Sequence, residues 1–411
     1  MPASALRRDS SVEPKAPATT AGLADFARLL FLGADLQPAW DHLMARATAS
    51  PPDLGAMLDL STILQLIGRR EEGLALQSDA LSRDRLYRRV VGAGQGPHLL
   101  ALVSNGDLMA STPIDFLLSG WNGVVDLMFM APGENATIAI PEHDIALIAV
   151  GESDANASLL DALEGAAAHW PKPMLNGAAG AIRALGRDRA PARLAGCPGI
   201  DAPPTLRIGR DHLAALGASG APLDLILPGR AYPIIVRPVD SHAGTGLEKL
   251  DHPSQVAGYL ERHVGEVFYV SPFVDYSGPD GRFRKLRVAL VDGRPFIVHM
   301  AVSEQWMVHY LNAGMDQDAG KRAEEAAMMA SFDSDFAVRH ADAFHAVHRT
   351  FGLDYLAMDC AEDRQGRLLI FEADTAMIVH DMDPPDLYPY KAPAMKKLFV
   401  AFQDMIAARA A

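Results

Sequence analysis

Three short apolar runs set the strongest limit on the fold of this chain. They are residues 98–103 (His98-Leu99-Leu100-Ala101-Leu102-Val103), 123–129 and 145–150. Each is too short for a helix of ordinary length and too continuously apolar for a half-exposed strand, so each reads as a strand buried on both faces. After the third, Leu159, Leu160, Leu163, Ala166, Ala167 and Trp170 recur at helical spacing. Buried strands alternating with helices imply a parallel sheet over residues 91–200. Gly92-Ala93-Gly94-Gln95-Gly96 precedes its strand, so it lacks the strand–turn–helix context of a dinucleotide loop and reads as a linker.

The rest of the chain is bounded by its length and charge. Its 411 residues allow two or three domains. A net charge of -14 argues against sequence-independent binding to nucleic acid, whose phosphates it would repel. Cys197 and Cys360 are the two cysteines, which excludes a disulfide scaffold and a four-thiolate zinc site. No apolar run is long enough for a membrane span, and the polar start with Arg7 and Arg8 does not read as a secretory signal. A reducing compartment, the cytoplasm, is the expected location.

Residues 1–20 carry few large apolar groups and are expected to be a disordered tail. Residues 21–90 read as helical. Leu58, Ile63, Leu64 and Ile67 share a helix that stops at Gly68, and Leu74, Leu76, Ala80 and Leu81 continue in a second. This pair resembles one tetratricopeptide unit, and equally reads as a packing element or a dimer contact, since such arrays need about three units.

From residue 201 onward the pattern is one of hairpins and antiparallel sheets, giving an α/β (α+β) fold overall. Residues 201–270 form a small subdomain and 271–411 a large one. Residues 234–238 are a strand followed by a small-residue turn, 241–246. The segments 284–291 and 294–302 flank Asp292-Gly293, a hairpin turn pair. A long helix is predicted over 321–351, and 355–360 pairs with 368–372 across Gln365-Gly366.

The candidate chemistry gathers on that last hairpin. Glu372 and Asp374 are two apart and share a face, and the hairpin brings Asp359 alongside. Oxygen ligands alone select a hard cation, Mg²⁺ or Mn²⁺. An exposed hairpin end with ordinary acids is the competing reading. The turn after Arg237 has glycines that can lay N–H groups over phosphate oxygens. Arg282 and Arg284 face one side of their strand, Lys285 and Arg287 the other. His340, His345 and His348 lack zinc-site spacing and read as a helix surface.

The order of these features, a glycine-bearing strand–loop, a basic strand, then Asp-x12-Glu-x-Asp, resembles the ATP-grasp superfamily, in its glutathione-synthetase and ribosomal-protein glutamate-ligase branch. The resemblance runs from Leu99 to the end and implies a Rossmann-like pre-ATP-grasp sheet followed by a two-subdomain ATP-grasp fold. It implies ATP and Mg²⁺ as cofactors, bound by Arg189, Arg237 and the loop of Ser241, Gly244 and Gly246. The base would lie at the hinge of Pro272, Phe273 and Val274, and the metals on Asp359, Glu372 and Asp374. Arg287, His309 and Asn312 fall where the family keeps its reaction centre, with His299, Trp306 and Tyr310 toward the substrate. Arg189 and Arg237 stand where lysines are usual, Pro272 for a glutamate, Lys285 for an acid and Asp374 for an asparagine.

The resemblance implies a carboxylate–amine ligase that forms an amide through an acyl phosphate, acting on an amino acid or peptide, with a homodimer as the family's default. A phosphotransferase stopping at a phosphorylated product, and an ATP-binding interaction module without turnover, are the alternatives that these departures leave open.

Overall fold

The computed structural model describes residues 16–131, 140–218, 223–239, 241 and 244–411. The expected tail lies outside the described residues up to position 15. Ala18–Thr19, at its end, instead forms the edge strand β1.

Four helices follow: α1 (Leu23–Phe31), α2 (Gln37–Ala47), α3 (Leu54–Leu66) and α4 (Arg70–Arg83). The Asp53 carboxylate starts α3 by accepting from the N–H groups of Gly55 and Ala56, and Arg46 fixes that carboxylate with Nε at 2.9 Å. The two helices read from sequence are α3 and α4. The helical region ends earlier than expected, because Leu86–Val91 is a strand, β2. Arg88 on β2 pairs directly across with Asp126, a fully buried carboxylate that also meets His98 Nε2 at 2.9 Å. That cross-strand ion pair, 38 residues apart in sequence, commits the segment to the sheet.

The sheet continues with β3 (His98–Ser104), a short helix α5 (Ile114–Leu117), β4 (Gly123–Met130), β5 (Ile145–Ile148), α6 (Ala157–Ala167) and β6 (Met174–Leu175). Its order is β1-β2-β4-β3-β5-β6. The parallel core expected from the apolar runs is β4-β3-β5-β6, and β2 joins it antiparallel. Asn176, at φ 50°, ties this sheet to the rest of the chain. Its Nδ2 donates to the Tyr355 carbonyl and its Oδ1 accepts from the Tyr355 N–H, both at 2.9 Å.

After α7 (Ala179–Arg183), α8 (Arg189–Leu194) and β7 (Ile200–Asp201) comes the small sheet. It holds β8 (Leu206–Gly209), α9 (Arg210–Ala218), β9 (Ile234–Pro238), β10 (Glu248–Leu250), α10 (Gln255–Arg262) and β11 (Val267–Pro272), in the strand order β10-β9-β11-β8, all antiparallel. Leu213, Val256, Tyr259 and Leu260 from its helices close over Val236, Phe268 and Val270.

The large sheet is built on β12 (Phe283–Val291) and β13 (Arg294–Ser303). They turn at Asp292 and Gly293, with φ 50° and 75°, the twist that a two-residue hairpin needs. The predicted long helix is broken into α11 (Ala319–Ser331), α12 (Phe336–Arg339) and α13 (Ala341–Phe351). The break falls at Phe332-Asp333-Ser334-Asp335, where Phe332 is fully buried and Asp335 pairs with Arg339, and short polar side chains favour turns over helix interiors. Then β14 (Tyr355–Glu362), β15 (Leu368–Asp374) and the terminal helix α14 (Lys391–Ala410) complete the order β13-β12-β14-β15-β7. The core fills both faces of this sheet, with Met358 and Cys360 toward one and Ala357 and Phe402 toward the other. Mixed and antiparallel sheets with segregated helices make this an α+β fold. Among the described residues, no helix is long and apolar enough to cross a membrane.

Candidate functional site

A cleft of about 560 Å³ opens between the small and large sheets. β9 and β11 contribute Ile235, Arg237, Tyr269 and Ser271 to one wall, and β12, β14 and β15 contribute Lys285, Arg287, Asp359, Glu372 and Asp374 to the other. The register explains why the acids converge. Arg287 lies directly across from Asp359, and Asp359 directly across from Glu372, so the three form one row over adjacent strands. Asp374 lies on the same face as Glu372.

The charges in this row are specifically paired. Lys285 Nζ is 2.7 Å from Asp359 Oδ2, Arg287 Nε donates to Oδ1 at 2.8 Å, and Arg287 Nη2 donates to Oδ2 at 3.2 Å. Burial opposes ionisation of Asp359, but Arg287 and Lys285 overcome it and hold the carboxyl well below the usual range. Arg287 Nη1 also donates to the Ile378 carbonyl at 2.9 Å, which fixes its plane. Glu372 pairs with Arg187. Its carboxyl too is held low against burial, by Arg187 and then Arg237. Asp374 accepts from the Ala376 N–H at 3.0 Å, and burial, with Glu372 beside it, pushes its carboxyl up to about 6. Glu152, just after β5 and outside the cleft lining, is likewise pushed up to about 7 by burial and then by Asp374.

Arg237 is buried at the end of β9. Its Nε donates to Ser241 Oγ at 3.1 Å, its Nη2 donates to the Ser241 carbonyl, and Ser241 Oγ donates on to the Pro238 carbonyl at 2.7 Å. Burial, and then Arg187, lower its guanidinium to about 10, so it remains a cation at neutral pH. The loop beyond needs glycine. Gly244 and Gly246 have φ 77° and 66°, and a Cβ at Gly246 would meet Pro238 at 2.7 Å. His242 and Ala243, inside the expected loop, lie outside the described residues.

The far end of the cleft is aromatic. Pro272, Phe273 and Val274 line it beside Tyr276, whose hydroxyl donates to the Trp306 carbonyl at 2.6 Å. Phe273 and Trp306 meet edge to face at 5.8 Å, and Lys249 Nζ sits 4.8 Å from the Phe273 ring centre. Trp306 and His309 both line the cleft. Burial, then Lys285 and Arg287, lower the His309 ring below its usual range, so it is neutral at pH 7.

The structure thus brings eleven of the expected site residues onto one cleft: Arg237, Gly244, Pro272, Phe273, Val274, Arg287, Trp306, His309, Asp359, Glu372 and Asp374. Ser241 and Gly246 are adjacent to the cleft through Arg237 and the loop. Four others do not line it. Arg189 opens α8 and points to Glu152 and the Arg183 carbonyl. Asn312 caps the turn at His309, accepting from its N–H. His299, directly across from Arg287 on β13, meets Tyr310 with tilted rings whose centres are 4.6 Å apart, and Tyr310 donates to Glu325 at 2.9 Å in a buried group with Lys391. Arg187 and Lys285 are cleft residues that were not expected to bind. The signal for Lys285 was its phase with Arg287. For Arg187 it was the Arg187-Asp188-Arg189 run, whose two arginines sequence alone does not distinguish.

Four cationic and three carboxylate side chains therefore line this cleft in a chain of net charge -14. The arrangement suits an anionic ligand. Among the described residues, no group of three or more His, Cys, Asp or Glu is placed to hold a metal ion. Glu372 and Asp374 remain as a pair of carboxylates on one face, Asp374 with backbone N–H as its hydrogen-bond donor among the described residues. A pair of this kind fits Mg²⁺, which commonly takes one or two carboxylates and completes its shell with water and phosphate oxygens.

No family model and no curated protein matches the chain. Solved structures do. A RimK-domain ATP-grasp protein from Sphaerobacter thermophilus is 15% identical with a TM-score of 0.42, over 75% of this chain and 98% of its own. The VanG D-Ala:D-Ser ligase from Enterococcus faecalis is 13% identical with a TM-score of 0.43, over 77% and 100%. The D-cycloserine synthetase DcsG is 16% identical with a TM-score of 0.44, over 76% and 100%. The chain is similar to these three structures over about three quarters of its length.

Proposed function

We propose that the cleft binds ATP and uses its terminal phosphoryl group to activate a carboxylate, which an amine then converts to an amide. The observation that carries this reading is the convergence of Arg187, Arg237, Lys285 and Arg287 from separate segments onto one cleft with an aromatic end. Four cations match a triphosphate, and a flat aromatic base suits the wall of Phe273, Trp306 and Tyr276. The segment Pro272-Phe273-Val274 would run beside the base edge, with the Phe273 N–H already donated to the Pro233 carbonyl at 3.0 Å, and the turn of Ser241, Gly244 and Gly246 lies beside Met307 to cover the phosphates.

In this reading Arg237 and Arg187 grip the phosphate chain. Lys285 and Arg287, oriented by Asp359, face the phosphoryl group in transfer and stabilise the charge that develops there. Glu372 and Asp374 would hold Mg²⁺, or Mn²⁺, which when bound neutralises phosphate oxygens. A carboxylate oxygen of the substrate attacks the terminal phosphorus and ADP leaves. The amine then attacks the acyl carbon, phosphate leaves, and the neutral His309 ring takes the amine proton. Closing the glycine turn keeps water from the acyl phosphate. The substrates are an amino acid or a peptide, joined to an amine-bearing partner.

A screen of pooled amino acids and peptides with ATP tests this. The expected result is ADP and free phosphate released only when a carboxylate and an amine are both present, with an ATP-dependent mass gain in the product. Glu372→Gln should abolish that turnover and leave the fold intact. ADP without free phosphate would identify a phosphotransferase instead, and binding without ADP an interaction module.

A further inference from the structure

Asp359 differs from the two other carboxylates in the cleft by being already paired with two cations. A carboxylate offers roughly four lone-pair positions. Three N–H donors from Lys285 and Arg287 approach those of Asp359, both oxygens included, at 2.7 to 3.2 Å. The side chain is 6% exposed at the wall of the cleft. Arg287 is further fixed by the Ile378 carbonyl. Glu372 has a single arginine partner, and Asp374 is held by backbone N–H alone among the described residues.

Resting on the nucleotide reading above, we infer that Lys285 occupies the place at Asp359 that a second divalent cation would need, so that ATP enters this cleft with a single ion, held at Glu372 and Asp374. A divalent ion at Asp359 would have to displace the Lys285 ammonium from a 2.7 Å contact and would meet the Arg287 guanidinium on the other oxygen. Like charges at such separations in a buried site are strongly disfavoured. The ammonium, by contrast, is covalently supplied and leaves two of its three donors for phosphate oxygens. The register makes the substitution direct. Lys285 lies two residues before Arg287 on β12, on the cleft face, beside the carboxylate that Arg287 opposes.

The test counts Mn²⁺ on the full chain by electron paramagnetic resonance, with a non-hydrolysable ATP analogue whose binding is read separately by calorimetry. The expected result is one Mn²⁺ per analogue, with the signal of an isolated ion. Lys285→Asp should double the count and add the broadening of two coupled ions, whereas Lys285→Arg should keep one. Two coupled ions in the unaltered chain would overturn the inference while leaving the nucleotide reading standing. A single ion in a folded Lys285→Asp variant would overturn it as well. If circular dichroism shows that this variant does not fold, the count on the unaltered chain decides. No binding of the analogue would overturn the nucleotide reading, and this inference with it.

Discussion

Replacing Asp359 by Asn keeps the shape of the side chain and removes the charge that holds Lys285 and Arg287 together. The two cations, 22% and 20% exposed in their side chains, would then face each other across a neutral amide. Removing one partner of a buried ion pair costs about 3–5 kcal/mol. Partial exposure of both cations favours the low end, about 3 kcal/mol. With a urea dependence of about 3 kcal/mol/M for a chain of this size, the unfolding midpoint should fall by about 1 M at pH 7. The pH dependence follows from the depressed Asp359 carboxyl. Its contribution is fully present above the unfolded value of about 3.9 and is lost as pH falls below it, so the gap between the two proteins should be flat from pH 5 to 8 and close below about 4. Inorganic tripolyphosphate should protect the variant more than the parent, because the freed cations gain an anion that Asp359 no longer supplies. At a hundredfold excess over its dissociation constant, that protection is about 2.7 kcal/mol. A midpoint within about 0.3 M of the parent, with equal protection by tripolyphosphate, would refute the pairing argument.

Other perturbations test separate parts of the account. Arg237→Gln should weaken binding of an ATP analogue by about 10- to 100-fold, the worth of a charge-assisted contact to phosphate, read by calorimetry. Burial pushes the Asp59 carboxyl up to about 6, against the Ala21 and Gly22 N–H groups that it accepts from. The folded state then holds more protons than the unfolded one between about pH 4 and 6, so stability falls as pH rises through that window, by up to about 3 kcal/mol. Asp59→Asn should flatten that slope in urea titrations, and an unchanged slope would assign it elsewhere. Asn176→Ala removes two hydrogen bonds to Tyr355 and puts alanine at φ 50°, which should cost about 2–4 kcal/mol in the same assay.

The sequence was most legible where local pattern and tertiary role agree. The runs at β3, β4 and β5 are buried on both faces and show it in their composition. The hairpin of β14 and β15 could be aligned from its turn, which put Asp359 beside Glu372. The phase of Lys285 and Arg287 placed both on the cleft side, and Arg284 with Asp280 and Glu324 on the other. Contacts between distant segments were not legible. The partner that makes β2 a strand, Asp126, lies 38 residues away. Tyr310 turns toward Glu325 and Lys391 instead of the cleft, with His299 against its ring, and Lys391 lies 81 residues from Tyr310. The choice between Arg187 and Arg189 depends on where α8 begins. α14 was not anticipated, although Met395, Leu398, Phe399, Phe402, Met405 and Ile406 recur at helical spacing. The break at Phe332 shows the converse, a helical pattern interrupted by buried packing and Asp335.

Calorimetric titration of the full chain with a non-hydrolysable ATP analogue, with and without Mg²⁺, bears most directly on the central claim. One analogue should bind per chain, weakened at least about tenfold when Mg²⁺ is withheld, as expected for a lost charged contact. No binding heat at millimolar analogue with Mg²⁺ present, in a chain shown to be folded, would contradict it.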